Sequence, residues 1–144
     1  MNNHPASRLL LLFLQAFVGI TAVAGGVALI AGALDPGLAT VLSPPVSHLA
    51  GTPFTGYLVP GILLAIGLGG VHLVALRMLV ARHPLALTAA AVAAFDTTIW
   101  IFVELIVMTF SPFQVLYLAA GLTEFGLVLL MLGLLGRRSA PLAA

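Results

Sequence analysis

Apolar residues run almost without interruption through four stretches of the chain, which are Leu9 to Ala33, Tyr57 to Val80, Leu85 to Phe110 and Phe113 to Leu135. Each stretch is long enough to cross a hydrocarbon core of about 30 Å, which takes roughly 20 helical residues. Strands of membrane barrels instead alternate apolar and polar positions in segments of about 10 residues. The pattern therefore predicts an all-α integral membrane protein, a four-helix bundle that forms a single transmembrane domain.

The composition agrees with a chain that lives in a lipid bilayer. Of its 144 residues, 62% are hydrophobic and 6% are charged, whereas a water-soluble domain carries about 25% charged residues. The net charge of +1 is too small for nucleic-acid binding, which needs clustered basic residues. The chain has no cysteine, no phosphate-binding glycine motif and no paired-histidine zinc motif. We therefore expect no nucleic-acid partner, no metal and no cofactor, and the pattern assigns no catalytic residue.

The basic residues predict the orientation. All five are arginines, and they fall near the N-terminus, at the junction of the second and third spans and near the C-terminus: Arg8, Arg77, Arg82, Arg137 and Arg138. Because short cytoplasmic segments carry the excess of basic residues, both termini are predicted to be cytoplasmic. The connection formed by residues 35–56 then faces outward, as does the turn at Ser111. The predicted location is the inner, cytoplasmic membrane of a cell, with several crossings.

The first span also resembles a secretory signal. Arg8 precedes an apolar run that ends in the small residues Ala31, Gly32 and Ala33, as at a cleavage site. A signal core is usually only about 7 to 15 residues long. We therefore expect a retained first helix.

Carboxylates inside the spans are the most informative polar residues. Of the four in the chain, only Asp35 lies in a connection, while Asp96, Glu104 and Glu124 lie within predicted spans. An acid such as Asp at the centre of a membrane helix costs roughly 2.5 to 3.5 kcal/mol, so such residues are candidates for a function. Asp96 and Glu124 fall near the midplane and could meet there. Glu104 lies about 12 Å nearer the outer surface, with Trp100 between it and Asp96 on the same helix face.

Other polar residues occur at similar depths. His72 is the one histidine within a span, slightly to the cytoplasmic side of the midplane, and Gln15 lies at a similar level. Hydroxyl groups near the centre come from Thr21, Thr97, Thr98 and Thr123. The sequence predicts a polar column from Glu104 through the two midplane carboxylates to His72. The candidate ligand-binding or proton-binding residues are Asp96, Glu124, Glu104, His72, Trp100 and Gln15.

Such a column favours binding of a proton or a cationic or lipophilic ligand. Two carboxylates that share a dry site cannot easily both ionise, so one is expected to hold a proton. No arginine or lysine lies at the midplane to neutralise them, which leaves an external proton or small cation as the partner. Asp96 and Glu124 form the predicted principal site, with Glu104 as an outer relay and His72 as an inner one.

Two other functions are open at this stage. The chain could be a structural or assembly subunit of a membrane complex, or form a homo-oligomer, through stripes of small residues. These stripes are Ala24, Ala28 and Gly32; Gly61, Ala65 and Gly69; and Ala86, Ala90 and Ala94. It could also be a membrane-embedded isomerase or cyclase in which one carboxyl protonates a lipid and a second group removes a proton. Whether the protein is an enzyme stays open.

Some segments resemble a known kind of protein. The run from Thr52 to Gly61, the Gly69-Gly70 pair, the segment from Trp100 to Glu104 and the stretch from Leu116 to Gly121 look like uncharacterised small four-helix bacterial membrane proteins of actinobacterial type. The resemblance covers the last three spans and implies the four-helix architecture. Small multidrug exporters are similar in size, but their first-helix glutamate is replaced here by Gln15. Small fluoride channels also have four helices, but their arginines are balanced across the membrane. Neither of these two families is adopted.

Overall fold

The computed structural model of the chain describes residues 5–135 and contains four long helices within them. We number the helices along the chain as α1 (Pro5–Leu34), α2 (Pro36–Leu42), α3 (Leu58–Val80), α4 (Ala86–Val107) and α5 (Pro112–Met131). The predicted all-helical fold with four long apolar helices is confirmed, and residues 5–135 contain no strand. The long helices have 30, 23, 22 and 20 residues, enough to cross a hydrocarbon core of about 30 Å. They indicate a multi-pass membrane protein.

The last two long helices end earlier than the apolar pattern predicts. The third span was expected to reach Phe110, but α4 ends at Val107, and Met108 already has an extended backbone. The fourth span was expected to reach Leu135, but α5 ends at Met131, because Gly133 adopts a left-handed conformation with φ 73°. This glycine closes the helix with bonds from its own N–H to the Leu130 carbonyl and from the Leu134 N–H to the Leu129 carbonyl.

One end of the bundle gathers the described arginines, and we call it the arginine end. The Arg8 guanidinium donates a 2.8 Å hydrogen bond to the carbonyl oxygen of Leu79, in the last turn of α3. The same carbonyl also accepts the Arg82 N–H at 3.2 Å, and a cation at this position complements the negative end of the helix dipole. Arg77 lies in the same last turn, and Arg82 follows in the turn to α4. Arg137 and Arg138 lie outside the described residues.

The opposite end, which we call the loop end, is formed by residues 35–57 and the turn at Ser111. Residues 36–42 form α2, which Asp35 begins by accepting the Gly37 N–H at 2.7 Å, and Val46–Leu49 form a short 3₁₀ turn. The buried Tyr57 hydroxyl donates to the carbonyl of Pro45 at 3.1 Å and ties the connection to the start of α3. Burial raises the pKa of the Tyr57 phenol above its usual value. The phenol therefore keeps this hydrogen bond below about pH 10, and the bond is lost as the pH rises through the raised pKa.

Helices α1 and α3 touch backbone to backbone because glycines line their contact. A Cβ placed on Gly26 would lie 2.6 Å from the backbone N of Ala65 and the carbonyl of Gly61, and one on Gly69 would lie 2.9 Å from the backbone N of Val23. Small residues allow such close approach of membrane helices. The centre of α3, Leu63–Gly70, is π-helical, a departure from regular geometry that is frequent at functional sites.

The small-residue stripes therefore pack inside the bundle. Gly61, Ala65 and Gly69 contact α1, and Ala86, Ala90 and Ala94 of α4 are buried. The face of α1 that makes the contact with α3 carries Gly19, Ala22 and Gly26. In the expected α1 stripe, Ala24 is exposed, Ala28 is half-buried, and Gly32 is buried against α2. The outer surface of the bundle is apolar, as a surface in contact with lipid would be: Phe13, Ile20, Ile66, Phe95 and Ile106 are all exposed.

Substituting Gly26 by alanine is expected to lower the free energy of unfolding in detergent by about 1 to 3 kcal/mol, because the added methyl group meets backbone that must shift. The matched control is Gly67→Ala, since a Cβ at Gly67 has nothing within 4 Å. That control is expected to leave stability unchanged or to raise it by up to about 1 kcal/mol. Equal effects of the two substitutions would contradict the close α1–α3 contact.

Candidate functional site: a buried polar layer

Four polar side chains form a layer across the middle of the bundle. Gln15, His72, Thr97 and Glu124 each have 0% of their surface exposed. On the arginine side lies an apolar cluster of Leu11, Leu79, Ala86, Ala90 and Val128. On the loop side lies a second apolar cluster of Val18, Ala22, Leu68 and Ala120. The layer is thus closed by apolar packing on both sides, and each long helix contributes one residue to it.

Two glycines bring the four helices close enough to form this layer. A Cβ on Gly19 of α1 would lie 3.2 Å from the Cβ of His72, so the α1 backbone packs directly on that residue. A Cβ on Gly121 of α5 would lie 3.1 Å from the Cβ of Thr97. Because residues three or four apart share a helix face, Gln15 and Glu124 lie one turn from these two contacts. The glycines therefore determine which side chains meet.

The His72 imidazole is held by hydrogen bonds at both ring nitrogens. Its Nδ1 lies 2.8 Å from the carbonyl oxygen of Leu68, and because a carbonyl can only accept, Nδ1 carries a hydrogen and donates it. Its Nε2 lies 3.0 Å from the Thr97 hydroxyl oxygen. The Leu68 carbonyl belongs to the π-helical stretch of α3. The ring is therefore oriented with Nε2 toward α4 and α5.

Glu124 is the acidic partner of this imidazole. Its Oε2 lies 3.4 Å from His72 Nε2, within the range of an ion pair. Neither carboxyl oxygen has a hydrogen-bond partner among residues 5–135. A fully enclosed carboxyl group with a single basic neighbour is costly, and an ionisable residue within a membrane span is a candidate functional residue.

Gln15 is the second residue of the layer with unpaired polar atoms. Both its amide nitrogen and its amide oxygen are buried without a hydrogen-bond partner in the described part of the chain. It follows Leu11 by four residues and precedes Val18 by three, and these belong to the clusters on either side of the layer. Its amide is therefore at the level of His72 and Glu124.

The other predicted site residues lie elsewhere. Asp96 is half-buried beside Thr97, and its Oδ2 is buried without a hydrogen-bond partner in residues 5–135, so it is not bonded to Glu124. Glu104 accepts a 2.7 Å hydrogen bond from the indole N–H of Trp100, one turn away on α4. Trp100 packs against the loop-side apolar cluster, which lies between Glu104 and the layer. The structure thus joins His72 to Glu124, with Gln15 at their level, and leaves Asp96 and Glu104 outside this group.

Thr97 belongs to the layer, although the sequence did not distinguish it from three other central threonines. Thr98 and Thr123 bond only to carbonyls of their own helices, Ala94 at 2.9 Å and Ala119 at 2.6 Å. Thr21 accepts a 2.7 Å bond from the Tyr117 hydroxyl nearer the loop end. The available signal for Thr97 was its place within a run of small residues, Ala90, Ala93 and Ala94, that marks the buried face of α4.

The fold and the site define a class: a small multi-pass helical membrane protein with an enclosed acid–base layer in its core. Comparison of the chain with protein families, with curated proteins and with solved structures finds no match. The resemblance to small four-helix bacterial proteins therefore stays a prediction.

Proposed function

We propose that the protein takes up and releases a proton at the Glu124–His72 pair, as the coupling site of a transport or ligand-binding activity in the inner membrane. The observation that carries this proposal is the 3.4 Å approach of Glu124 Oε2 to His72 Nε2 with both side chains fully buried. None of the four layer residues lines either of the two surface grooves described for residues 5–135. A proton is the ligand that an enclosed layer of this kind can accept.

The hydrogen bonds around Thr97 support proton exchange at Nε2. When the imidazole is neutral, the Thr97 hydroxyl donates to Nε2 across 3.0 Å. When Nε2 carries a proton, the imidazolium donates toward Thr97 and Glu124, and the hydroxyl can turn to donate to the Ala93 carbonyl at 3.2 Å. Both protonation states of His72 therefore find partners in the same backbone geometry, and the change needs no helix movement.

The proposal includes the orientation with both termini in the cytoplasm. Arg8, Arg77 and Arg82 lie at the arginine end, and the loop end contains no arginine or lysine. This distribution supports the orientation, because short cytoplasmic segments carry the excess of arginine and lysine. In this orientation the apolar cluster on the arginine side lies toward the cytoplasm, the cluster on the loop side lies toward the outside, and the proton site lies between them.

The alternatives have less support. The assembly role relied on small-residue stripes, but those of α3 and α4 are used in packing within the chain. The lipid-acting enzyme would be favoured by a cavity that opens to lipid and holds both Asp96 and Glu124, and Glu124 does not line the groove that contains Asp96.

Potentiometric titration of the protein in lipid nanodiscs tests the proposal. Between about pH 5 and pH 9, the wild type is expected to bind about one proton more per chain than Glu124→Gln, which keeps the shape of the side chain but removes the negative charge that pairs with a protonated His72. The matched control is Thr98→Val, which removes a hydroxyl that bonds only to its own helix and is expected to titrate like the wild type. Superimposable curves for the wild type and Glu124→Gln would contradict the proposal.

A further inference from the structure

Asp96 lies at the edge of the bundle, between the buried layer and the outer surface. Its neighbours in sequence are the exposed Phe95 and the fully buried Thr97, and successive helical residues are about 100° apart around the axis. Its Oδ2 is buried, and no group in the described part of the chain donates a hydrogen bond to it. The carboxyl group is therefore near the middle of an apolar surface without a partner of its own.

A groove runs along α4 and α5 at this position. Its volume is about 480 Å³, and its lining includes Phe95, Asp96 and Ile99 of α4 and Phe125 of α5. Asp96 is the one charged residue among those that line this groove, and Thr88 supplies a hydroxyl. The volume falls within the range of about 300 to 1,000 Å³ typical of small-molecule sites. The groove opens on the apolar outer surface, so a ligand would enter from the hydrocarbon.

We propose that this groove binds a lipophilic monocation, with its charged centre at the Asp96 carboxylate and its apolar groups along Phe95, Ile99 and Phe125. Charge complementarity selects a cation over a neutral or anionic amphiphile, since an unpaired carboxylate in hydrocarbon attracts positive charge and repels negative charge. The two phenyl rings add attraction for a cation through their faces. The ligand class is an ammonium or phosphonium group that carries apolar substituents.

The coupling of cation binding to proton release, though not cation binding itself, rests on the proposed proton site, because His72 of that site lies near Asp96. His72 of α3 is near Asp96 in space, because its Nε2 lies 3.0 Å from the hydroxyl of Thr97, the next residue along α4. The other titratable groups of the packed helices are Glu124 of α5, which pairs with His72, and, two turns away on α4, Glu104, which bonds to Trp100; α1 contributes the uncharged Gln15. A cation at Asp96 and a proton on the His72–Glu124 pair repel each other. Cation binding should therefore release a proton, and a higher pH should strengthen cation binding.

Equilibrium binding of tetraphenylphosphonium to the protein in phosphatidylcholine nanodiscs tests the site, with tetraphenylborate as an anion of the same shape and empty nanodiscs as the blank. The wild type is expected to bind the phosphonium and not the borate. Asp96→Asn is expected to lower the phosphonium affinity by about tenfold or more, because it removes the charge and keeps the shape. Asp35→Asn makes the same change of net charge in the loop and is expected to leave the affinity within about twofold of the wild type.

Two readouts do not depend on the folding of Asp96→Asn. One is the preference of the wild type for the phosphonium over the borate, and the other is phosphonium binding by Asp96→Glu, which keeps the charge and is expected to keep the binding. Equal affinity for the two ions, or phosphonium binding that is unchanged in Asp96→Asn, would overturn the cation site and leave the proton site standing. Phosphonium binding that depends on Asp96 supports the cation site. If such binding releases no proton in the wild type, the proton site of the proposed function is contradicted and the cation site stands.

Discussion

His72→Leu is expected to lower the free energy of unfolding of the bundle by about 3 to 5 kcal/mol, because it leaves the Glu124 carboxylate enclosed without a charged partner. Glu124 is fully buried, and His72 Nε2 at 3.4 Å is the one basic group within ion-pair range of it in residues 5–135. A neutral hydrogen bond between membrane helices contributes only about 0.6 kcal/mol on average. The size of the loss therefore distinguishes an acid–base pair from a plain interhelical contact.

The double variant His72→Leu with Glu124→Leu is expected to recover most of this loss, since well-packed apolar residues commonly replace a buried ion pair at little cost. Unfolding in mixed micelles of increasing denaturing detergent measures His72→Leu, Glu124→Leu and the double variant. Thr97→Val is the control, because it removes one hydrogen bond to Nε2 and is expected to cost about 1 kcal/mol. Losses that simply add in the double variant would contradict a coupled pair.

Gln15→Leu is expected to stabilise the bundle by about 1 to 3 kcal/mol, which is the cost of a buried amide without hydrogen bonds. Both polar atoms of Gln15 are unpaired within residues 5–135, and leucine of similar volume would extend the packing between Leu11 and Val18. A core residue that lowers stability is expected where it contributes to function, here at the Glu124–His72 pair. We therefore expect Gln15→Leu also to change the proton titration of the neighbouring pair.

The matched control for this prediction is Gln114→Leu. Gln114 is also buried, but its Oε1 accepts the Ser111 N–H at 3.0 Å in the cap of α5. Its replacement is expected to destabilise the protein by about 1 kcal/mol, opposite in sign to Gln15→Leu. Thermal unfolding in the same detergent measures both. A destabilising Gln15→Leu would show that the amide has a stabilising partner, and would contradict the unpaired geometry.

The four long helices could be predicted because membrane helices need only length and apolar composition. Their ends could not, since apolar residues continue past the points where Met108 extends and Gly133 turns the chain. The helix α2, in the connection between the first two spans, was not predicted, although Asp35 followed by Pro36 is a helix-start signal. The second span contains three closely spaced glycines, Gly67, Gly69 and Gly70, within the stretch that the structure shows to be π-helical.

The depth of the layer residues could be estimated from their positions in the spans, but the orientation of each helix about its own axis could not. His72, Glu124 and Gln15 are at similar depth, as the span positions implied. The choice between Asp96 and Thr97 as the residue that faces the layer depends on the orientation of α4 about its axis. A helix that is apolar all round gives no periodic signal for that orientation. It depends instead on close contacts such as Gly121 against Thr97, which only the packed structure reveals.

The most direct test of the proton site is the infrared difference spectrum of the carboxyl and carboxylate stretches in purified protein between about pH 5 and pH 9, because a proton gained at His72 Nε2 changes the band of the Glu124 carboxyl group 3.4 Å away. The expected result is a pH-dependent carboxyl band in the wild type that is lost in Glu124→Gln and kept in Asp96→Asn. A spectrum without any pH-dependent carboxyl band, or one whose band persists in Glu124→Gln, would contradict proton exchange at the Glu124–His72 pair.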